Sequence, residues 1–198
     1  MMHSQLSAAV ILFAAIFTNN VVLSNFLGLC SFLAVSKAVK SSIGLGVAVA
    51  FVMAATAGLN WLVYHHVLVP LGLTYLRFAV FILVIAGFVQ FVEMAMERLA
   101  PALYFTLGIF LPLITVNCAV LGVALFMVIR EYSFLESVAY GFGGGVGYLV
   151  AIMILATLRW RTRKSKVPPA LQGAGIAVIM SGIMALGFVG LSGLITIN

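Results

Sequence analysis

Charge and cysteine are both scarce in this chain. Of its 198 residues 7% are charged, ten basic and four acidic, and the only cysteines are Cys30 and Cys118. So few ionisable groups leave little with which to line the polar substrate cavity of a transporter. Long polar segments are missing too, and nothing between the apolar stretches is long enough to fold as a soluble domain. Water-soluble chemistry must therefore reside on another polypeptide. No glycine-rich phosphate loop stands between a strand and a helix, and Gly143-Gly144-Gly145 lies inside an apolar stretch, a poor phosphate cradle. No Lys or Arg precedes Lys37, and no small-residue cleavage pattern follows a short apolar core. The N-terminal stretch is thus expected to stay as a membrane span rather than be removed as a signal peptide.

Hydrophobic residues dominate, at 65% of the chain with a mean hydropathy of +1.28, far above an ordinary soluble domain. Six apolar stretches, 6–35, 43–64, 73–95, 102–129, 134–158 and 172–196, are each long enough to span hydrocarbon. The expected fold class is an all-α polytopic membrane protein, one membrane domain over residues 1–198 with six transmembrane helices. The net charge of +6 reflects topology rather than nucleic-acid binding. Lys37, Lys40, Arg98, Arg159, Arg161, Arg163, Lys164 and Lys166 fall on one side of the six spans, and only Arg77 and Arg130 on the other. The eight-residue side is expected to be cytoplasmic, with both termini outside. The run from Arg159 to Lys166 also suits contact with anionic lipid or docking of an acidic cytoplasmic protein.

Two spans carry breaks. About 30 helical residues at 1.5 Å each would make span one about 45 Å long, against about 30 Å of hydrocarbon. The polar run Thr18-Asn19-Asn20, with Ser24 and Asn25, is the natural place for it to open. In span four, Pro112 removes a backbone donor, Gly108 loosens the helix, and Thr115 and Asn117 offer replacement partners. Spans one and four correspond if the chain is two units of three spans, 1–99 and 100–198, and an odd number of spans inverts the second unit. Gly44-Leu45-Gly46-Val47 against Gly143-Gly144-Gly145-Val146, and Pro70 against Pro168-Pro169, are weaker echoes. Gly143, Gly147, Gly173, Gly175, Gly182 and Gly187 are expected to let helices approach closely.

Cys30 and Cys118 each lie beside amides, Gly or Pro at these breaks. A free cysteine can be an inert small hydrophobe, and a disulfide needs close approach that no sequence shows. Metal ligation is the sharper reading. Iron-sulfur clusters generally take four thiolates, so a chain with two would complete the set only with a second chain. A structural zinc deep in lipid has no evident purpose.

The chain closely resembles the A-type membrane subunits of the Rnf electron-transport complexes and their homologues, the E-type subunits of the sodium-translocating NADH:quinone oxidoreductases. The resemblance runs almost end to end. It is carried by Asn19-Asn20 with Phe26-Leu27-Gly28-Leu29-Cys30, by Val35-Ser36-Lys37, by Ile82 to Ala86 and Val89 to Met94, by Leu107 to Cys118 continued through Leu125, and by Val167-Pro168-Pro169. Gly28-Leu29-Cys30 and Ala119-Val120-Leu121-Gly122 look closer to the Rnf branch. The resemblance implies that Cys30 and Cys118 are two ligands of a [2Fe-2S] cluster in the membrane, the other two coming from a homologous subunit of inverted topology. It implies an ion-translocating ferredoxin:NAD+ oxidoreductase complex in a bacterial inner membrane, with both termini periplasmic. This subunit would relay electrons between a cytoplasmic iron-sulfur subunit and flavin-bearing subunits, binding neither flavin nor nucleotide itself. Asn25 and Asn117 would tune the cluster through hydrogen bonds or simply repair the broken helices.

Among other polar residues, Glu93 and Glu97 share a helix face, with Gln90 one turn further in. Glu93 is the deeper and is a candidate for a cation path, since an intramembrane carboxylate suggests function; Glu97 with Arg98 marks the interface. His65 and His66, adjacent at a helix end, are expected at the outer interface, where Trp61, Tyr64 and Tyr75 would form the aromatic belt. Arg130, Glu131 and Glu136 read as a solvated loop. Two other functions compete with the relay: a secondary transporter, which shares the inverted, broken-helix plan, and a scaffold that holds neighbouring subunits.

Overall fold

The computed structural model describes residues 8–99, 111–163, 168 and 172–192. Every α- or related helix among them can be followed in chain order: α1 Ala8–Ile16, α2 Leu29–Val35, α3 Val39–Val63, α4 Arg77–Leu99, α5 Leu111–Thr115, α6 Cys118–Ile129, α7 Phe134–Thr162 and α8 Ala174–Ser192. A π-turn, Tyr64–Leu68, extends α3, and a short 3-10 turn, Thr74–Leu76, leads into α4. Four apolar helical stretches are long enough to cross a membrane, Val39–Leu68, Thr74–Ala95, Pro112–Ile129 and Phe134–Thr162, and Ala174–Gly190 is a shorter apolar one. The chain is an all-α polytopic membrane protein. Gly108, Lys164, Lys166 and Pro169, each assigned a part above, lie outside the described residues.

α3 and α7 form the spine, antiparallel and in close contact. A Cβ on Gly46 would collide with Leu149, and one on Gly145 with the backbone of Ala50. Small residues here let two apolar helices approach to backbone contact, which drives helix association in lipid. α4 runs back along α3, with Tyr64 edge-on to Phe81 at 6.3 Å and Phe51 beside Phe88 at 6.5 Å. α8 returns along α7, with Thr162 Oγ1 3.8 Å from Met180 Sδ.

Span one descends beside α7 in two pieces. Gly143 abuts Leu12 and Ala15, and Gly147 abuts Ala15 and Ile16, so α1 runs parallel to α7. Asn20 Nδ2 donates to Gly147 O at 2.9 Å, while Ser31 lies 2.8 Å from the hydroxyl of Tyr148, the very next residue of α7. Between Asn20 and Ser31 the chain therefore makes almost no progress along the bundle. The surplus length of span one is spent sideways, in a loop at constant depth. α2 then continues in the original direction, and Arg159 Nη1 reaches its Leu33 O at 2.9 Å. Tyr148 is the central residue of the 29-residue α7, about 21 Å of helix rise from either end. The break lies at mid-depth.

Span four breaks at the same level and runs the other way. α5 ends at Thr115, Val116 and Asn117 are non-helical, and α6 starts at Cys118. Ala119 lies against Gly28, and Val123 against Gly144, so α6 climbs as α7 descends. Its 12 residues give about 18 Å from Cys118 to the far end.

This arrangement sorts the charges. Lys37 and Lys40 at the start of α3, Arg98 at the end of α4, and Arg159, Arg161 and Arg163 at the end of α7 share one end of the bundle. Arg77 and Arg130 are at the other. There, Trp61 stacks on His65 at 4.3 Å and donates from Nε1 to Tyr132 O at 2.9 Å. His66 is exposed and faces Leu62 O instead of the His65 ring.

Two expectations change. Glu136 is not loop: it lies in the first turn of α7, where its carboxylate accepts from the backbone N–H and the hydroxyl of Ser133 at 2.9 and 2.8 Å. Arg130 is held over the rings of Phe126 and Tyr140 at 5.8 and 5.6 Å. Of the glycines assigned to close packing, Gly143 and Gly147 serve that purpose, but among the described residues Gly173 meets nothing within 4 Å, nor do Gly182 and Gly187 on α8. The face of α8 that carries them is exposed.

Candidate functional site

The two breaks meet, and side chains of each repair the other. Leu29, Cys30 and Ser31 follow Gly28, whose φ of +82° turns the chain into α2. A left-handed conformation costs an L residue about 1–2 kcal/mol, and a Cβ here would also stand 2.9 Å from Asn117 Oδ1. Phe26, two residues earlier, does adopt a positive φ, +55°. Such strain persists where the surroundings impose it, and it clusters at functional sites.

Asn117 caps α6. Its Oδ1 accepts from Ala119 N at 3.0 Å, and its Nδ2 donates to Ser31 Oγ at 3.0 Å. The Ser31 hydroxyl donates to Gly28 O at 3.0 Å. Its one proton thus used, it accepts from the Tyr148 hydroxyl at 2.8 Å. In return, Gly28 N–H donates to Cys118 Sγ at 2.8 Å. Asn117 and Ser31 are buried, so each bond replaces one that water does not supply.

The thiols themselves are different. Cys30 and Cys118 are both exposed and unbridged. Cys30 is two residues from the glycine whose N–H meets Cys118. Around them Asn25, Phe26 and Val116 are exposed, Val116 at 75%. An uncovered amide at mid-depth in hydrocarbon would cost several kcal/mol, about what each unsatisfied polar group costs there. Among the described residues no three metal-ligating side chains gather. Among the described residues the two sulfurs have no third ligand gathered with them.

The other expected site residues divide. Thr115 is half-buried and engaged. Pro112 is exposed within α5, and its carbonyl accepts from Val116 N at 3.4 Å. Asn25 makes no hydrogen bond among the described residues, and the repair expected of it falls to Asn20. Asn20 is fully buried, and its Oδ1 accepts from Val22 N and Leu23 N at 3.1 and 3.4 Å. Glu93 is half-buried past the middle of α4, toward the basic end, and does not join the thiols' network. Ser31 and Tyr148 were not singled out from sequence. Their only signal was a hydroxyl within an otherwise apolar segment, which many membrane helices contain.

Fold and site together define a class: a multi-pass helical membrane protein in which two broken spans meet and leave both thiols exposed. A family model described as "Rnf-Nqr subunit, membrane protein" matches residues 8–195. The chain belongs to the Rnf-Nqr family. It is 54% identical to the E subunit of the Na(+)-translocating NADH-quinone reductase of Pseudoalteromonas translucida, covering 91% of this chain and 94% of that protein. It is 50% identical to the A subunit of the Na(+)-translocating ferredoxin:NAD(+) oxidoreductase complex of Acetobacterium woodii, covering 93% and 96%. These identities place the chain near both branches.

Proposed function

We propose that this chain is a membrane subunit of an ion-translocating electron-transport complex of the Rnf type, and that Cys30 and Cys118 supply half the ligands of a [2Fe-2S] centre. The observation that carries the reading is the Gly28–Cys118 bond, which ties the loop leading into Cys30 to the other thiol, both of them exposed. The residues suit the group. Two sulfurs, with no third metal-ligating side chain gathered beside them among the described residues, match a shared site, and a backbone N–H aimed at sulfur is a usual way to tune one. When bound, such a centre supplies a one-electron carrier inside the bilayer. Gly28 donates to one sulfur, and Asn117 and Ser31 hold that donor in place.

The remaining two ligands would come from a homologous subunit of opposite orientation. Two contacts support an inverted duplication, with units at 1–99 and 100–198. Gly46 meets Leu149 and Gly145 meets Ala50, and these contacts exchange when Gly44–Val47 is laid on Gly143–Val146. The basic end is assigned to the cytoplasm of a bacterial inner membrane, with both termini periplasmic. Flavin-bearing subunits and a cytoplasmic iron-sulfur subunit are the further partners, and Glu93 is placed on the cation path. A transporter reading is disfavoured because no charged side chain is buried among the described residues.

The test is iron and acid-labile sulfide analysis, with paramagnetic resonance, of the purified complex carrying Cys30→Ser or Cys118→Ser. Each variant should lose the reduced-state signal. Full iron content and unchanged electron transfer in both would refute the proposal. The 54% identity to a quinone-reductase subunit favours a second reading, the quinone-linked branch; ferredoxin-dependent NAD+ reduction against NADH-dependent quinone reduction by the complex distinguishes the two.

A further inference from the structure

We infer that the basic end of the bundle holds a binding site for the phosphodiester headgroup of an anionic phospholipid. Where the turn between α2 and α3, the end of α7 and the start of α8 converge, they enclose a cavity of about 510 Å3 whose walls include Lys37, Arg159, Arg163, Gly173 and Ile176. Three of these are cations, and among the described residues none of them forms an ion pair. The chain has four carboxylates, all elsewhere. Glu131 and Glu136 are at the opposite end of α7, and Glu93 and Glu97 are on α4, which packs on α3, α5 and α6.

Arg159 is held in place, with Nη1 donating to Leu33 O at 2.9 Å and to Ser36 Oγ at 2.6 Å. Those partners are neutral, so the guanidinium keeps its charge uncompensated beside that of Arg163. Gly173, with a φ of +95°, turns the chain into α8, whose first N–H groups lack helical acceptors. Three cations and a helix start around one cavity call for an anion.

Depth and surface favour a lipid as its source. Arg159 is about 17 Å along α7 from Tyr148 at mid-depth, close to the headgroup level of a bilayer whose hydrocarbon is about 30 Å thick. From the cavity wall at Ile176, Ile179 and Ile183 continue along the same side of α8 and are 45% and 65% exposed. An acyl chain can follow that stripe into the hydrocarbon. A soluble anion or an acidic protein loop has no use for it.

The experiment measures phosphatidylglycerol retained by the complex purified in mild detergent, by native mass spectrometry, with and without added inorganic phosphate. Lys37→Gln with Arg163→Gln should reduce retention by about thirtyfold, from the loss of two basic contacts. Arg159, which also ties α2 to α7, is left intact. Lys40→Gln with Arg161→Gln, both at exposed positions outside the cavity, removes the same charge and should leave retention unchanged. Equal loss in both pairs would mean diffuse attraction and overturn the site. Displacement by millimolar phosphate alone would assign it to a soluble anion. Unchanged retention, with a cytoplasmic subunit lost from the first pair only, would assign it to protein docking.

Discussion

Gly28 N–H donates to Cys118 Sγ across 2.8 Å, bonding the loop of one broken span to the thiol that opens the other. The geometry depends on a left-handed glycine in contact with Asn117, Ala119 and Tyr148. Several expectations about stability and assembly rest on it.

Gly28→Ala places a Cβ at a φ of +82°, 2.9 Å from Asn117 Oδ1 and 3.0 Å from Ala119 Cβ. The loss should be about 2 kcal/mol or more, backbone strain plus overpacking, seen as a lower melting temperature in detergent. Gly72→Ala is the control: its φ is +66°, yet nothing lies within 4 Å. It should lose only the conformational part.

Ser31→Ala and Tyr148→Phe separate the centre of the buried network from its edge. Ser31→Ala strands both Asn117 Nδ2 and the Tyr148 hydroxyl and should cost about 2–3 kcal/mol, while Tyr148→Phe should cost about 1 kcal/mol. If the proposed centre is present, Ser31→Ala should also lower its midpoint potential, because the N–H directed at sulfur is less firmly held. Equal melting temperatures for the two variants would contradict the network.

Asn20→Ala removes the acceptor for Val22 N and Leu23 N and the donor to Gly147 O. A loss of about 2–4 kcal/mol is expected for stranding buried backbone groups. Asn25→Ala should leave the melting temperature of the isolated chain unchanged, and any effect should surface only in assembly with a partner. Comparing each variant alone and in the complex checks both statements.

Gly145→Leu drives a side chain into the backbone of Ala50 and should abolish folding of the spine, read as aggregation in size-exclusion chromatography. Gly187→Leu places its Cβ where nothing lies within 4 Å among the described residues and should preserve a monodisperse profile.

Orientation can be read by labelling intact cells with a membrane-impermeant maleimide. Arg161→Cys at the basic end should label only after the membrane is opened or inverted, and Glu131→Cys should label from outside. The reverse pattern would invert the proposed topology.

Much of this architecture was legible beforehand. The excess length of span one required a break, and polar residues in that apolar stretch marked where, because unsatisfied backbone in lipid needs a nearby replacement partner. Which amide would act was not legible. Asn20 and Asn25 both sit in the polar stretch, and only the contact with Gly147 on α7 selects Asn20. Cys30 read as part of a straight rod would lie near the basic end; the sideways loop from Asn20 to Ser31 returns it to the level of Tyr148.

By itself the sequence determined that this is a helical membrane protein, which end carries the positive charge, and that its two thiols accompany interrupted spans, because hydropathy, charge and proline or amide placement act locally along a chain. Only the tertiary structure decided that the interruptions face each other at mid-depth, that Ser31 and Tyr148 join them, and that both thiols open outward. Those facts depend on how far Gly46 and Gly145 let α3 and α7 approach, and on which residues of distant segments that approach brings level.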